Sequence, residues 1–196
     1  MIGNAPYSPY TDVPGWLETD EEDTLIEYAK TVPEGGVIVN VGVEFGRSMA
    51  AFVKYAPTAT VYGIEINPLD AYSANLTEAG LVPPPLIVGN SSDKATLAQL
   101  KKKLRNKAID VLFIDGGHSY TDALADLSLY TPLVKVGGFV LVHDNAVTAS
   151  DAHPGHVAHP LHVEVSKAVA DWKAENPDSW KSVKVVHTML VLERTA

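Results

Sequence analysis

Val37-Ile38-Val39-Asn40-Val41 runs straight into Gly42-Val43-Glu44-Phe45-Gly46, and Arg47 to Tyr55 then takes up a helical pattern. A nearly unbroken apolar run reads as a strand buried on both faces, and the glycine-bounded turn lets the chain pass into a helix that packs against it. The same phrase recurs downstream. Strand-like runs fall at Val37–Val41, Thr60–Ile64, Leu86–Val88, Ile109–Ile114 and Phe139–Val142, with helical stretches at Arg47–Tyr55, Leu69–Ala79, Lys94–Leu104 and Tyr120–Leu129 between them. Strand-helix-strand order implies parallel pairing through right-handed crossovers, which predicts a doubly wound α/β sheet of five parallel strands with helices on both faces.

Upstream, residues 1–18 are rich in Pro, Tyr and Gly without periodicity and predict an irregular N-terminal arm packed on the domain or on a neighbouring copy. Thr19 followed three residues later by Glu22 fits a capping box, and Leu25, Ile26 and Ala29 share one helical face before Pro33-Glu34-Gly35-Gly36 ends it. Downstream of Asp144 the rhythm changes. Asn145 to His162 reads as a long loop, Val163–Glu175 as a helix, and Ser182–Val186 with Met189–Glu193 as two strands. Their connection is too short for a crossover helix, so they are expected to form an antiparallel pair. Residues 19–196 therefore read as a single domain.

Composition narrows the function. Hydrophobic residues make up 46% and charged residues 20% of the 196, a globular balance. With 15 Lys+Arg against 24 Asp+Glu the formal charge is −9, which disfavours phosphate backbones and anionic lipid, so neither nucleic acid nor a membrane is an expected partner. No cysteine is present, which excludes disulfides and thiolate metal sites. No signal-like start or membrane-length apolar run appears, and a cytoplasmic location is the expectation.

In an open α/β sheet, ligands bind beyond the carboxyl ends of the strands. The turn Asn40-Val41-Gly42-Val43-Glu44-Phe45-Gly46-Arg47-Ser48 has Gly-x-x-x-Gly spacing rather than the dinucleotide Gly-x-Gly-x-x-Gly. Glu44 stands at the middle glycine position, where it would crowd and repel a pyrophosphate, which weighs against NAD. S-adenosylmethionine (SAM) carries an ammonium group and no phosphate, so an acidic residue is tolerable there. Glu65 ends the second strand 23 positions beyond Gly42, where its carboxylate can accept both ribose hydroxyls. Asn90 and Ser91 end the third and suit an adenine edge. Taken singly, each of these features reads as an ordinary turn or helix cap; together Asn40, Gly42, Glu44, Gly46, Ser48, Glu65, Asn90, Ser91 and Asp115 make up the cofactor-facing set.

The fourth strand runs Ile109-Asp110-Val111-Leu112-Phe113-Ile114 into Asp115-Gly116-Gly117-His118, and the fifth runs into His143-Asp144-Asn145. Adjacent strand ends let Asp115, Asp144 and Asn145 converge. Two carboxylates and an amide oxygen are hard ligands suited to Mg²⁺, although either Asp alone also reads as a turn cap. A histidine near such a metal, ordinarily titrating near neutrality, can take the proton of a bound hydroxyl, and His118 is the candidate base.

The segments Phe113-Ile114-Asp115-Gly116-Gly117-His118-Ser119-Tyr120 and Gly137-Gly138 through His143-Asp144-Asn145 resemble the metal-dependent class I SAM-dependent O-methyltransferases, which include the catechol, caffeoyl-CoA and macrolide-sugar enzymes. The resemblance covers Trp16 to the C-terminus. It implies a Rossmann-like class I methyltransferase sheet, Asp115, Asp144 and Asn145 as metal ligands, and His118 as the catalytic residue, a histidine being expected there in the macrolide-sugar branch. Asn40 departs from the family's usual acidic residue, and Glu44 is the candidate to contact the SAM amino group in its place. The expected reaction is SAM- and Mg²⁺-dependent methylation of a hydroxyl on a small molecule: a sugar, a catechol or a natural-product intermediate. Two alternatives stand beside it, a non-catalytic SAM-binding or assembly protein, and an NAD-linked or hydroxylase-type relative on the same sheet. His153, His156, His159 and His162 recur every third residue in a proline-interrupted segment that reads as a substrate-facing lid, a surface loop or a further metal site. The irregular arm makes a homodimer plausible.

Overall fold

Every residue of β1 (Val37–Val41) and β4 (Ile109–Ile114) is buried, the double-sided burial expected of an apolar run in a parallel sheet. In the computed structural model, which describes residues 5–145 and 160–196, these strands lie side by side at the centre of the sheet. β2 (Thr60–Glu65) and β3 (Leu86–Val88) extend it on one side, and β5 (Val134–Val142), β7 (Met189–Arg194) and β6 (Trp180–Val186) on the other. The seven-stranded order is β3-β2-β1-β4-β5-β7-β6. The first five strands pair in parallel, and β7 runs antiparallel to both β5 and β6.

Side-chain alternation divides the core between the two faces. Val37, Val39, Val41, Leu112, Ile114, Val140 and Val142 pack with helices α4 (Lys94–Leu104), α5 (Tyr120–Tyr130) and α6 (Pro160–Glu175) through Leu100, Leu127, Val169 and Trp172. Ile38, Val111, Phe113, Leu141 and Val191 pack with α1 (Thr19–Ala29), α2 (Arg47–Tyr55) and α3 (Asp70–Glu78) through Leu25, Tyr28, Phe52 and Leu76. One polar residue interrupts β4. The Asp110 carboxylate accepts from the Val37 N–H at 2.7 Å and pairs with Lys135, so the charge is satisfied where the strand begins.

Most boundaries differ from the sequence reading by a residue or two at most, and three of the differences have a physical reason. β5 starts at Val134 rather than Phe139, because Val134 pairs with Ile109 before the register shifts and Phe139 pairs with Val111; Gly137, at φ +76°, lies within that irregularity. Helix α6 begins at Pro160, so His162 lies in its first turn and not in the loop. The cap of α1 is displaced by one residue: the reciprocal box joins Glu18 and Glu21, not Thr19 and Glu22. Glu22 is drawn away because its carboxylate is buried against Arg47.

That pair anchors the N-terminal arm. Glu22 Oε2 accepts from Arg47 Nε at 2.9 Å and from its terminal nitrogen at 2.7 Å, Ser8 Oγ donates to Glu22 Oε1 at 2.6 Å, and Arg47 also donates to the Gly15 carbonyl. The arm folds back on itself through a Tyr7–Pro14 bridge and is thereby pinned to the first turn of α2. Both charges are buried, at 4% and 0% side-chain exposure. Replacing Arg47 with Met should strand the Glu22 charge and cost about 3–5 kcal/mol, whereas Glu22→Gln/Arg47→Met should be less destabilised than the sum of the single variants. Urea unfolding monitored by circular dichroism measures both.

Candidate active site

Val41 pairs with both Ile64 and Ile114, and Ile114 pairs with Val142. The chain therefore leaves β2, β1, β4 and β5 at one level, and the segments that follow open onto one cavity of about 1170 Å³. That volume accommodates a nucleoside cofactor together with a small second ligand. Gly42, Glu44, Ser48, Glu65, Asn90, Ser91, Asp115, His118 and Asp144 line it. Asn40, Gly46 and Asn145 do not. Asn40 is fully buried and its amide donates to Ser48 Oγ at 2.7 Å, so it acts behind a lining residue. Asn145 is 1% exposed and held through its backbone N–H to the Thr188 carbonyl. His153, His156 and His159, with the lid reading attached to them, lie outside the described residues.

The two glycines of the first turn serve the fold's own packing. Gly42 has φ +82°, and a Cβ there would stand 1.9 Å from the Asp115 carbonyl oxygen. Gly46 has φ +98°, and a Cβ would meet Leu76 and Tyr72 of α3. Between them the chain exposes N–H groups that Glu65 collects. Its Oε2 accepts from Val43 at 2.9 Å and Glu44 at 3.0 Å, and its Oε1 accepts from Asn67 at 3.1 Å. Burial raises the Glu65 pKa, but these backbone donors outweigh it and hold the carboxyl below its ordinary value. The carboxylate stays charged, ready to accept further hydroxyl donors from the cavity. Opposite, Asn90 closes an Asx turn onto the Ser92 N–H, and the Ser91 carbonyl accepts from Tyr130.

At the other end Asp115, His118 and Asp144 present ligand atoms within 4.8 Å of one another. His118 Nε2 is 3.0 Å from Asp144 Oδ2 and 3.9 Å from Asp115 Oδ1. Asp144 takes a left-handed backbone, φ +55°, which turns it into the cavity as β5 ends. His162 Nε2 approaches Asp144 Oδ1 at 2.9 Å from the start of α6. Asp115 and Asp144 raise the His118 pKa against the opposing effect of burial.

Residues 39–145, more than half of the chain, match a family described as a methyltransferase domain. The chain belongs to that family. A rhamnosyl O-methyltransferase of Mycobacterium bovis (strain BCG / Pasteur 1173P2) is 27% identical over 101 residues, covering 50% of this chain and 39% of that protein's length. The same figures hold for the rhamnosyl O-methyltransferase of Mycobacterium tuberculosis (strain ATCC 25618 / H37Rv). Among solved structures, the O-methyltransferase TomG of Streptomyces achromogenes, in complex with SAM, superposes with TM-score 0.69 at 20% identity, covering 94% of this chain and 83% of that one. MycE of the mycinamycin pathway, with Mg, S-adenosylhomocysteine (SAH) and mycinamycin VI, gives 0.62 at 17%, covering 92% and 50%. These two likenesses are of fold, the Rossmann-like class I methyltransferase sheet.

Two groups of this methyltransferase-family domain escaped the sequence reading. His143, 8% exposed, lies behind Asp115 and Asp144. Its Nε2 is 2.9 Å from Glu21 Oε2, and its Nδ1 is 3.2 Å from Asp115 Oδ1 and 3.4 Å from Asp144 Oδ1 without the alignment of a hydrogen bond. Glu21 Oε1 in turn accepts from the Thr188 N–H at 2.9 Å and its hydroxyl at 2.7 Å. Burial pushes the Glu21 carboxyl up, but His143 and Thr188 more than offset it and bring it to about 2. A motif search along the chain cannot find this link, since Glu21 and Thr188 are 167 residues apart.

The second group is Asp126 of α5, fully buried beneath Gly116 and Ser91. Burial pushes its carboxyl up to about 7, the nearby Ser91 hydroxyl opposing and Asp122 adding to the rise. Neither of its oxygens has a well-formed hydrogen bond. An unfolded Asp titrates near 3.9, so between about 4 and 7 the folded domain holds a proton that the unfolded chain releases, and stability falls as pH rises through that window. Asp126→Asn should remove this slope and stabilise the protein at pH 8 by up to roughly 4 kcal/mol. Thermal unfolding of both proteins from pH 5 to 8 checks the sign; a larger wild-type stability at pH 8 would contradict it.

Proposed function

We propose that this methyltransferase is a SAM-dependent O-methyltransferase that holds a divalent cation, Mg²⁺, at Asp115 and Asp144, with Asn145 buried next to them outside the cavity lining, and methylates a hydroxyl of a small molecule. The observation that carries the reading is the convergence of Asp115, Asp144 and His118 in the same cavity as the Glu65-braced glycine turn. The donor set fits a cation: two carboxylates face one point, and the buried Nδ1 of His143 behind them makes no hydrogen bond. SAM would supply an electrophilic methyl group, and the cation would lower the pKa of the hydroxyl it holds.

The chain's own residues perform the rest. Glu65 accepts ribose hydroxyls with a carboxylate already oriented by three backbone N–H groups. Asn90 and Ser91 offer polar groups to the adenine edge, and Glu44, on the rim near Asp115 and His118, is placed to meet the amino group. His118 takes the acceptor proton; it is more exposed than the other imidazoles near Asp144 and faces the cavity. Catalysis then consists of orientation and deprotonation at a fixed point. A sugar hydroxyl is the favoured acceptor within this class, supported by the rhamnosyl relatives and the mycinamycin enzyme.

Glu65→Ala removes the ribose acceptors and loosens the Val43–Glu44 turn, so SAM affinity measured by calorimetry should fall by roughly 1–3 kcal/mol; an unchanged affinity refutes the cofactor assignment. His118→Ala should lower turnover by roughly 10²–10⁴-fold while SAM binding stays close to wild type. A rate within about threefold of wild type would instead remove His118 from the base role.

A further inference from the structure

Besides His143 behind it, Asp144 is approached by two imidazole nitrogens that line the cavity from other elements, and only one of these is needed as a base. His118 reaches it from the turn after β4, with 37% of its side chain exposed. His162 reaches it from the first turn of α6, with 14% exposed. That helix is fixed to the sheet a few residues later by Val165, Ala168, Val169 and Trp172, all buried, so the His162 imidazole is delivered by a rigid element. His162 also lines the cavity together with Asp115 and Asp144.

The separation of His162 from Asp144 suits shared coordination. Donors on neighbouring vertices of an octahedral shell with bonds of about 2.1 Å lie about 3 Å apart. His162 Nε2 and Asp144 Oδ1 are 2.9 Å apart. A hydrogen bond has the same length, so distance alone does not decide; the chemistry of the surroundings does. An all-oxygen shell suits Mg²⁺, whereas imidazole is a borderline donor that Co²⁺ and Zn²⁺ accept readily, that Mn²⁺ takes beside oxygen ligands, and that Mg²⁺ takes poorly. Around these two carboxylates the described residues place three imidazoles, His118, His143 and His162, within 3.4 Å of Asp144. His118 is the solvent-facing base and His143 comes from the end of β5 itself, so His162 is the imidazole that a separate element, α6, brings to Asp144.

We infer that His162 is a protein ligand of the cation held by Asp115 and Asp144, and that the site therefore accepts, besides Mg²⁺, a transition ion such as Mn²⁺ or Co²⁺ through nitrogen as well as oxygen. This rests on the metal reading above and changes its consequence: the ion's identity is set by α6 as well as by the strand ends. His162 then has a structural partner in the ion and need not move when the acceptor enters, while His118 remains available for the proton.

The test uses Mn²⁺ and Mg²⁺ with the full chain. Pulsed electron paramagnetic resonance of the Mn²⁺-loaded protein should show imidazole-nitrogen modulation in wild type and in His118→Ala, and none in His162→Ala. Equilibrium titration should show Mn²⁺ affinity falling about tenfold or more in His162→Ala, with Mg²⁺ affinity changing by less than about threefold. His162→Asp, an oxygen donor at the same place, should recover Mn²⁺ affinity without the nitrogen signal and should tighten Mg²⁺; circular dichroism verifies that each variant is folded. Nitrogen modulation that survives in folded His162→Ala, or that vanishes in His118→Ala instead, overturns the assignment while leaving the metal site standing. Wild-type protein that binds neither ion, or binds them no better than Asp144→Ala, removes the metal reading itself and this inference with it.

Discussion

The backbone of Gly42 passes so close to the end of β4 that any side chain would collide with the Asp115 carbonyl, and the rest of the site depends on that approach. It is possible because β1 and β4 are parallel neighbours in matched register, with Val41 opposite Ile114 and the Asp115 N–H bonded to the Val41 carbonyl. The turn that braces Glu65 and the turn that carries Asp115 are thereby fixed to each other without side chains between them. Register propagates this placement. β5 is locked to β4 through Ile114–Val142, and the His143 N–H bonds the Ile114 carbonyl, so Asp144 emerges one step beyond the same level.

What stands on that frame is a concentration of acid. Asp115, Asp144 and Glu21 surround His143, and Glu44 and Glu65 lie on the neighbouring turn, in a chain whose formal charge is already −9. Carboxylates this close repel unless cations or donors intervene. On the cofactor side the donors are backbone N–H groups, and Glu65 is charged and quiet. On the reaction side they are imidazoles, brought from the β4 turn, the β5 end and α6. The two halves are thus held differently: one by hydrogen bonds to the main chain, the other by contacts between side chains.

The sheet was legible because its central strands are buried on both faces, so the apolar runs at Val37 and Ile109 carry their own boundaries. The same logic found the antiparallel pair, since the connection between its strands cannot hold a helix. It failed at the start of β5, where Lys135, Val136 and the two glycines break the pattern although Val134 already pairs with Ile109. The cap of α1 was misplaced by one because Thr19 with Glu22 is the standard capping pattern, whereas the burial of Glu22 against Arg47 leaves the reciprocal box to Glu18 and Glu21. The convergence of Asp115, Asp144 and His118 could be read because they follow the ends of adjacent strands. Glu21, His143 and Thr188 could not, because acidic residues in a first helical turn and a histidine before an Asp look like surface positions until α1 and the β6–β7 hairpin pack together.

The Glu21–His143 contact therefore links two kinds of constraint that the sequence keeps separate. Glu21 sits in the first turn of α1, one residue before the Glu22 that holds Arg47 and the N-terminal arm, so the arm and the reaction end share a single turn of helix. Gly15 and Trp16 of the arm line the cavity as well. A disturbance of the arm's anchor would reach His143 through α1 and, through His143, the two carboxylates, without passing through the sheet. The strands fix where Asp115 and Asp144 stand. The arm, α1 and the closing hairpin govern the electrostatic environment in which they work.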